Sequence, residues 1–414
     1  MSITYDPCAQ SNLMHPDHAI LQLLDQVSVV TQTETIALPT AFGRVLANDV
    51  QSSIDLPPFD NSAMDGYAFN FNDLIDFEAL TVAGEALAGK PYAGECLPGT
   101  CIRIMTGALV PKGFDTVQMQ EKVTIKDSKA VIDPPKQKGA CIRKQGEELL
   151  CGAQVLPAGT LIRAAELGVL ATIGTDVVEV YRKVRVAFFS TGDELQAVGN
   201  RLEKGQIYDS NRYSIQGLLN RANIEWTDLG VIADDPQAIR EAFLEAAKMA
   251  DMVLTSGGVS VGDADYIKQV LEEEGKITFW KLAIKPGKPF AFGQLNDAVF
   301  CGLPGNPVSS MVTFYKLVWP LIVKMQGRPQ RQLLTLQARL KGSLKKAPGR
   351  VEYQRGILSY NEQGEAEVRM SGAQGSGMLT SMTLANCFVI LSQQEGDLPS
   401  ETMVTVEPFN TVLD

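Results

Sequence analysis

The chain has 414 residues, 45% hydrophobic and 21% charged, a balance that predicts a soluble globular protein with about two to four domains. The net charge of −11, from 37 basic and 48 acidic side chains, excludes the concentrated basic face of a nucleic-acid binder. It leaves room for an anionic small molecule, because a local lysine cluster can dominate inside a cleft.

No run reaches the ~18 to 20 apolar residues that span a bilayer. The first twenty residues, "MSITYDPCAQSNLMHPDHAI", lack the basic start and apolar block of a signal peptide. Seven scattered cysteines form no C-x-x-C pair and read as reduced thiols of a cytoplasmic protein. The only histidines, His15 and His18, fall in a polar leader ahead of the first helix. Serine–histidine catalysis and histidine-rich zinc sites are therefore excluded. Chemistry must run on carboxylates, lysines, arginines and backbone amides, with or without a hard metal ion.

In chain order, "DHAILQLLDQVSVV" (17–30) has helical apolar spacing, followed by a strand-like "TETIA" and a short helix near Ala41–Leu46. From about 80 to 143, short β segments are punctuated by glycine and proline, as in a small β domain. A helix at "RAAELGVLATIG" returns the chain to mixed structure. From Val184 for about 140 residues strands alternate with helices, which predicts a doubly wound parallel sheet covered on both faces. "LLTLQARLKGS", "RVEYQRGILSY", "AEVRMSG", "CFVILS" and "MVTVEPF" form a last small β domain. The expected division is 1–49 with 146–183 (a mixed unit), 50–145 (an inserted β unit), 184–330 (α/β) and 331–414 (C-terminal β).

Three strand ends of the α/β unit carry unusual loops: "FFSTGDEL" (188–195), "LTSGGVSVGDADY" (254–266) and "CGLPGNPVS" (301–309). Ligands of such sheets bind beyond the carboxyl ends of the strands, so the three should converge. Ser256, Gly257, Gly258, Gly262 and Gly305 let backbone approach a phosphate, which helix N-termini favour. Neither a Walker lysine loop nor a G-x-G-x-x-G motif is present. Asp235, before Pro236, reads as a helix N-cap, and Asp263 has the same reading. Asp234, Asp265 and Glu194 are not needed as caps. Carboxylates beside an anion loop make sense with Mg2+ bridging them to phosphate oxygens. "FWKLAIKPGKPFAFG" (279–293) supplies positive charge: in an extended strand Lys281, Ala283 and Lys285 share one face, and Lys288 follows a Pro286-Gly287 turn.

"FDNSAMDGYA" (59–68), "IRIMTGA" (102–108), "STGDEL", "QIYDSNR" (206–212), "SGGVSVGDADY", "KLAIKPGKPFAFG", "GLPGNPVS" and "PGRVEYQRG" (348–356) together resemble the molybdopterin molybdenumtransferases. This is the MoeA family, to which the E domain of gephyrin is related. The resemblance implies an elongated homodimer of four-domain subunits with a cleft completed by the neighbour. It implies insertion of molybdate into adenylylated molybdopterin with Mg2+-dependent release of AMP, and a molybdopterin adenylyltransferase as pathway partner. No membrane or nucleic acid is implied. The family's functional positions fall on Asp65, Thr106, Glu194, Asp234, Asp265, Lys281, Lys285, Pro304, Pro307, Arg355 and Ser376. Glu148 stands where the family's aspartate is expected. Lys285, Lys288, Arg355 and Ser376 are expected to bind molybdate, while Asp234, Asp265 and Glu194 hold Mg2+. A gephyrin-like scaffold and a generic Mg2+-dependent nucleotide pyrophosphatase are the competing readings.

Overall fold

The computed structural model describes residues 13–257, 270, 273–330 and 333–409. Of the expected helix "DYIKQVLEEE" only Val270, Glu273 and Glu274 are described, and the site residues Gly258, Gly262 and Asp265 lie outside the described residues, as does Asp263.

The segments flanking the inserted β unit meet. Strand Thr33–Ala37 pairs antiparallel with Val177–Tyr181, Thr33 opposite Tyr181. Ala41, Leu46, Ile162, Leu170, Val178 and Val180 form a small core beneath them. The short helix expected near Ala41–Leu46 is instead a 3-10 turn at Leu38–Thr40. Helix Pro16–Asp25 departs further from the expected division, because its Ala19 and Leu23 are buried in the core of the α/β unit.

The inserted unit is a six-stranded sheet in which Gly66–Phe69 lies between Thr116–Met119 and Thr100–Ile104. Alternation buries Ala68, Ile102 and Val117 on one face and Tyr67, Phe69 and Cys101 on the other. Gly66 admits no side chain there, since a Cβ would lie 1.9 Å from the Gln118 carbonyl oxygen.

The α/β unit differs from the expected parallel sheet at one edge. Four strands are parallel, in the order Glu225–Ile232, Arg185–Thr191, Met252–Ser256, Ala298–Leu303. Pro289–Leu295 then pairs antiparallel with Ala298–Leu303, and Gly275–Lys281 pairs antiparallel with Pro289–Leu295. The cause is the two-residue turn Asn296-Asp297, with Asn296 at φ +53°, which closes an antiparallel hairpin. Both faces are covered. Val186 and Phe188 face the Ser210–Arg221 helix, while Ala187 and Phe189 face Pro236–Met249.

The C-terminal strands close on themselves. Val351–Tyr360 pairs with both Ala366–Met370 and Cys387–Leu391, and Leu336–Leu340 and Met403–Pro408 complete the ring. This barrel-like unit is fixed to the α/β unit at several points. Lys285 and Glu352 are partners in a parallel strand pair. Lys316 and Glu407 form an ion pair with both side chains buried, and the Lys316 ammonium sits 4.7 Å from the Tyr353 ring centre. Segment Pro307–Met325 is the one helix among the described residues long and apolar enough to cross a membrane, but most of it is buried in the core.

Candidate active site

A cavity of about 730 Å³ opens where the parallel strands end and the barrel begins. Thr191, Gly192 and Glu194 follow the first strand, Asp234 follows the edge strand, Ser256 and Gly257 end the third, and Pro304, Gly305 and Pro307 follow the fourth. Lys285, Lys288 and Gly287 enter from the segment between strands Gly275–Lys281 and Pro289–Leu295, and Arg350, Gln374, Gly375 and Ser376 enter from the barrel.

Asn211 organises this edge. Its amide nitrogen donates to Ser256 Oγ at 2.7 Å and to the Gly305 carbonyl at 2.7 Å, tying two loops together. Gly257 has φ +94°, and a Cβ there would meet the Thr191 carbonyl oxygen at 2.6 Å, so only glycine lets these strand ends approach. Pro307 occupies the first turn of its helix, where a missing N–H costs nothing. The next amide, of Val308, donates to the Ser376 carbonyl at 2.9 Å, which docks the barrel loop on the helix start.

The acidic side carries Glu194 and Asp234. The Glu194 carboxylate packs against Gly192, where an added Cβ would lie 2.5 Å from Oε2. The Asp234 amide donates to Asp193 Oδ1 at 3.2 Å. Asp235 caps the Pro236–Met249 helix as expected, its Oδ1 accepting from the Ala238 amide at 2.9 Å. Thr191 Oγ1, Asp209 Oδ2 and Asn211 Oδ1 are buried with no protein partner, and their residues line the cavity, a pattern suited to a polar ligand.

Two expected residues stand elsewhere. Arg355 is 1% exposed and does not line the cavity. Its Nε donates to Ser381 Oγ at 3.0 Å and its Nη2 to the Gly375 carbonyl at 3.0 Å. Burial pulls its guanidinium down to about 10. Register puts Arg355 opposite Phe388, which packs in the core of the α/β unit and not with Cys387 and Val389 of the barrel core. Lys281 is exposed and also outside the cavity lining. The extended run ends at Lys281, and Leu282, Ala283 and Ile284 are all buried, so the expected common face of Lys281, Ala283 and Lys285 does not form.

Asp65, Thr106 and Glu148 do not line this protomer's cavity either. Asp65 Oδ1 accepts from both the Thr106 amide and the Thr106 hydroxyl, each at 2.8 Å, and these bonds hold its carboxyl below the usual value. Glu148 is exposed, with its amide donating to the Leu56 carbonyl at 3.0 Å. Arg350, Asn211 and Gln374 were not read from sequence as site residues. Arg350 and Asn211 lie in "PGRVEYQRG" and "QIYDSNR", so the signal was the motif itself. The glutamine had no such signal.

Fold and site define a multidomain α/β enzyme whose cavity is lined by both carboxylates and cations. Residues 14–174 match the MoeA N-terminal region (domain I and II), 187–324 a probable molybdopterin binding domain, and 337–409 the MoeA C-terminal region (domain IV). The chain is 46% identical to the molybdopterin molybdenumtransferase of Haemophilus influenzae over 96% of its own length and 99% of that protein. It is 30% identical to gephyrin of Dictyostelium discoideum over 95% of this chain and 62% of the relative. The solved molybdopterin biosynthesis moeA protein of Pyrococcus horikoshii superposes with a TM-score of 0.82 at 30% identity, covering 96% of this chain and all of that one. The chain belongs to the molybdopterin molybdenumtransferase (MoeA) family, transferases of molybdenum cofactor biosynthesis.

Proposed function

We propose that this chain inserts molybdate into adenylylated molybdopterin, with Mg2+-dependent release of AMP. One observation carries the reading: a single cavity holds Glu194 and Asp234 together with Lys285, Lys288 and Arg350. A pyrophosphate linking a pterin to a nucleotide needs a cation held by carboxylates, and a compact oxyanion needs cationic donors. Both are offered within about 730 Å³.

The carboxylate oxygens of Glu194 and Asp234 suit a hard cation. Mg2+ takes few protein carboxylates and completes its shell with water and substrate phosphate. Glu194 and Asp234 would hold it, with Asp265 as a further ligand. When bound, Mg2+ neutralises charge developing on the pyrophosphate oxygens. The loops at Ser256–Gly257 and Pro304–Gly305 flank the phosphate, with the Gly305 amide as donor, since Pro304 has no N–H and the Gly257 amide donates to the Leu303 carbonyl at 3.2 Å. Lys285, Lys288, Arg350 and Ser376 bind the molybdate dianion, Arg350 in the place expected for Arg355. Lysine and arginine suit a tetrahedral oxyanion as charged donors, and serine adds a neutral hydrogen bond.

The position of Asp65 and Thr106 outside the cavity supports a homodimer in which they reach a neighbour's cleft. The protein would work in the cytoplasm, receiving its substrate from a molybdopterin adenylyltransferase. The test is AMP release and molybdenum incorporation by the purified chain, with and without molybdate. Release that requires molybdate supports the reading. Equal release without it would make the protein a pyrophosphatase, and no turnover would favour the scaffold alternative.

A further inference from the structure

We propose that Glu352 is a positioning residue that holds the Lys285 ammonium at the cavity wall. The inference rests on the reading of Lys285 as an oxyanion ligand. Lys285 and Glu352 are backbone partners in the parallel pair that joins the α/β unit to the barrel. Backbone on both sides is fixed, with Ile284 fully buried and the Val351 amide donating to the Ala283 carbonyl at 2.8 Å. Lys285 Nζ donates to Glu352 Oε1 at 3.0 Å. The two side chains differ in environment: the lysine is 43% exposed on the cavity side, while the glutamate is 3% exposed.

The other groups around Glu352 are accounted for. Its Oε2 accepts from Gln354 Nε2 at 2.8 Å. Lys346 is nearby and buried, but its Nζ donates to the Glu395 carbonyl at 2.8 Å and the Ala347 carbonyl at 3.3 Å. Arg350 faces the cavity. Glu352 thus gives one oxygen to Gln354, which fixes the carboxylate, and the other to Lys285.

A lysine needs such a hold more than an arginine does. Its ammonium sits on a flexible four-carbon stem and loses much rotamer freedom when a ligand fixes it. One bond to a buried, immobile carboxylate selects the rotamer before the ligand arrives. An ammonium has three N–H donors, so two remain for an anion. A buried carboxylate next to an anion site opposes binding by charge alone. Its burial within hydrogen-bonding distance of Lys285 is therefore better explained by orientation than by attraction.

The test is a double-mutant cycle in the full chain, titrating molybdate during insertion and recording thermal midpoints. Lys285→Gln, Glu352→Gln and the pair are compared with wild type. Glu352→Gln should raise the molybdate concentration for half-maximal rate about tenfold. The rate at saturating molybdate should stay within about twofold of wild type, because fixing a rotamer acts on binding. The double variant should be no worse than Lys285→Gln alone, since Glu352 acts only through that lysine. Additive losses, or a fall in kcat without a shift in half-saturation, would overturn the inference and leave the reading of Lys285 intact. No effect of Lys285→Gln would remove that reading itself. If Glu352→Gln does not fold, Gln354→Met loosens the same carboxylate without changing any charge. It should give a smaller rise in half-saturation, and no rise would count against the inference.

Discussion

Arg355 donates from Nη2 to the Gly375 carbonyl at 3.0 Å, one residue before Ser376, from a site that is 1% exposed. The arginine thus shapes the loop that reaches the cavity without entering it. Arg355→Ala would leave the Gly375 carbonyl and the Ser381 hydroxyl without this donor. It should cost about 2–4 kcal/mol of stability. Thermal unfolding should show a midpoint lowered by several degrees, and affinity for both molybdate and the adenylylated pterin should fall. A variant as stable as wild type, weakened only toward molybdate, would return Arg355 to the cavity.

Arg350→Ala should behave in the opposite way. Arg350 lines the cavity and is only partly buried, so its loss should leave the thermal midpoint within a degree or two. Removing one charged donor from an oxyanion site costs about 1.5–3 kcal/mol, or tenfold or more in affinity. Half-maximal insertion should therefore need at least about tenfold more molybdate. An unchanged molybdate requirement would take Arg350 out of the anion site.

The contrast between these arginines shows what could be read from sequence. Both lie in "PGRVEYQRG", and the motif placed the right strand beside the right domain. Which arginine faces the ligand depends on how that strand curls into a closed barrel, and residue spacing does not encode this. The described parts of the three strand-end loops, with Ser256 and Gly257 standing for the middle one, line one cavity, because ligand sites beyond parallel strands follow from topology. The hairpin at Asn296-Asp297 was overlooked although its turn chemistry was present, because the alternation of strands and helices dominated the reading. The common face of Lys281, Ala283 and Lys285 is absent because regular alternation stops at Lys281, where Leu282, Ala283 and Ile284 are all buried. The pairing of Lys285 with Glu352 spans 67 residues and had no local signal.

Gly257→Ala should damage the cavity through backbone alone. The added Cβ would lie 2.6 Å from the Thr191 carbonyl oxygen at a residue with φ +94°. Neither backbone segment can yield cheaply, and left-handed strain adds about 1 kcal/mol or more. Activity should fall with a loss of about 1–3 kcal/mol in stability. Wild-type turnover would show that these two strand ends move apart without cost.

The Asp65–Thr106 pair predicts a pH dependence. Bonds from the Thr106 amide and hydroxyl hold the folded carboxyl below 3.8, its ordinary value. A lowered folded value means that the unfolded chain binds a proton first as pH falls. The stabilisation is fully present above the unfolded value and is lost as pH falls through the folded one. Thr106→Val removes the hydroxyl donor and keeps the amide. Wild type should be the more stable of the two at neutral pH, and in denaturant titrations the gap should close as pH falls below the ordinary carboxylate value and through the lowered folded one. A gap independent of pH would mean that the valine acts through packing.

Whether Asp65 serves a neighbouring subunit can be tested by complementation. Asp65 and Glu194 lie in different units of the chain, and only Glu194 lines the protomer's own cavity. If Asp65 serves a neighbour, Asp65→Ala and Glu194→Ala each inactivate both sites of a homodimer. In a hybrid of the two variants, one cleft combines the intact Asp65 of one subunit with the intact Glu194 of the other. The remaining cleft carries both lesions. Random exchange makes half of the dimers hybrids, each with one working site of two, so activity should recover to about a quarter of wild type. Exchange is confirmed by native mass measurement of differently tagged subunits, which makes a negative result interpretable. Hybrid dimers without recovered activity would place Asp65 and Glu194 in separate tasks and end the shared-cleft proposal.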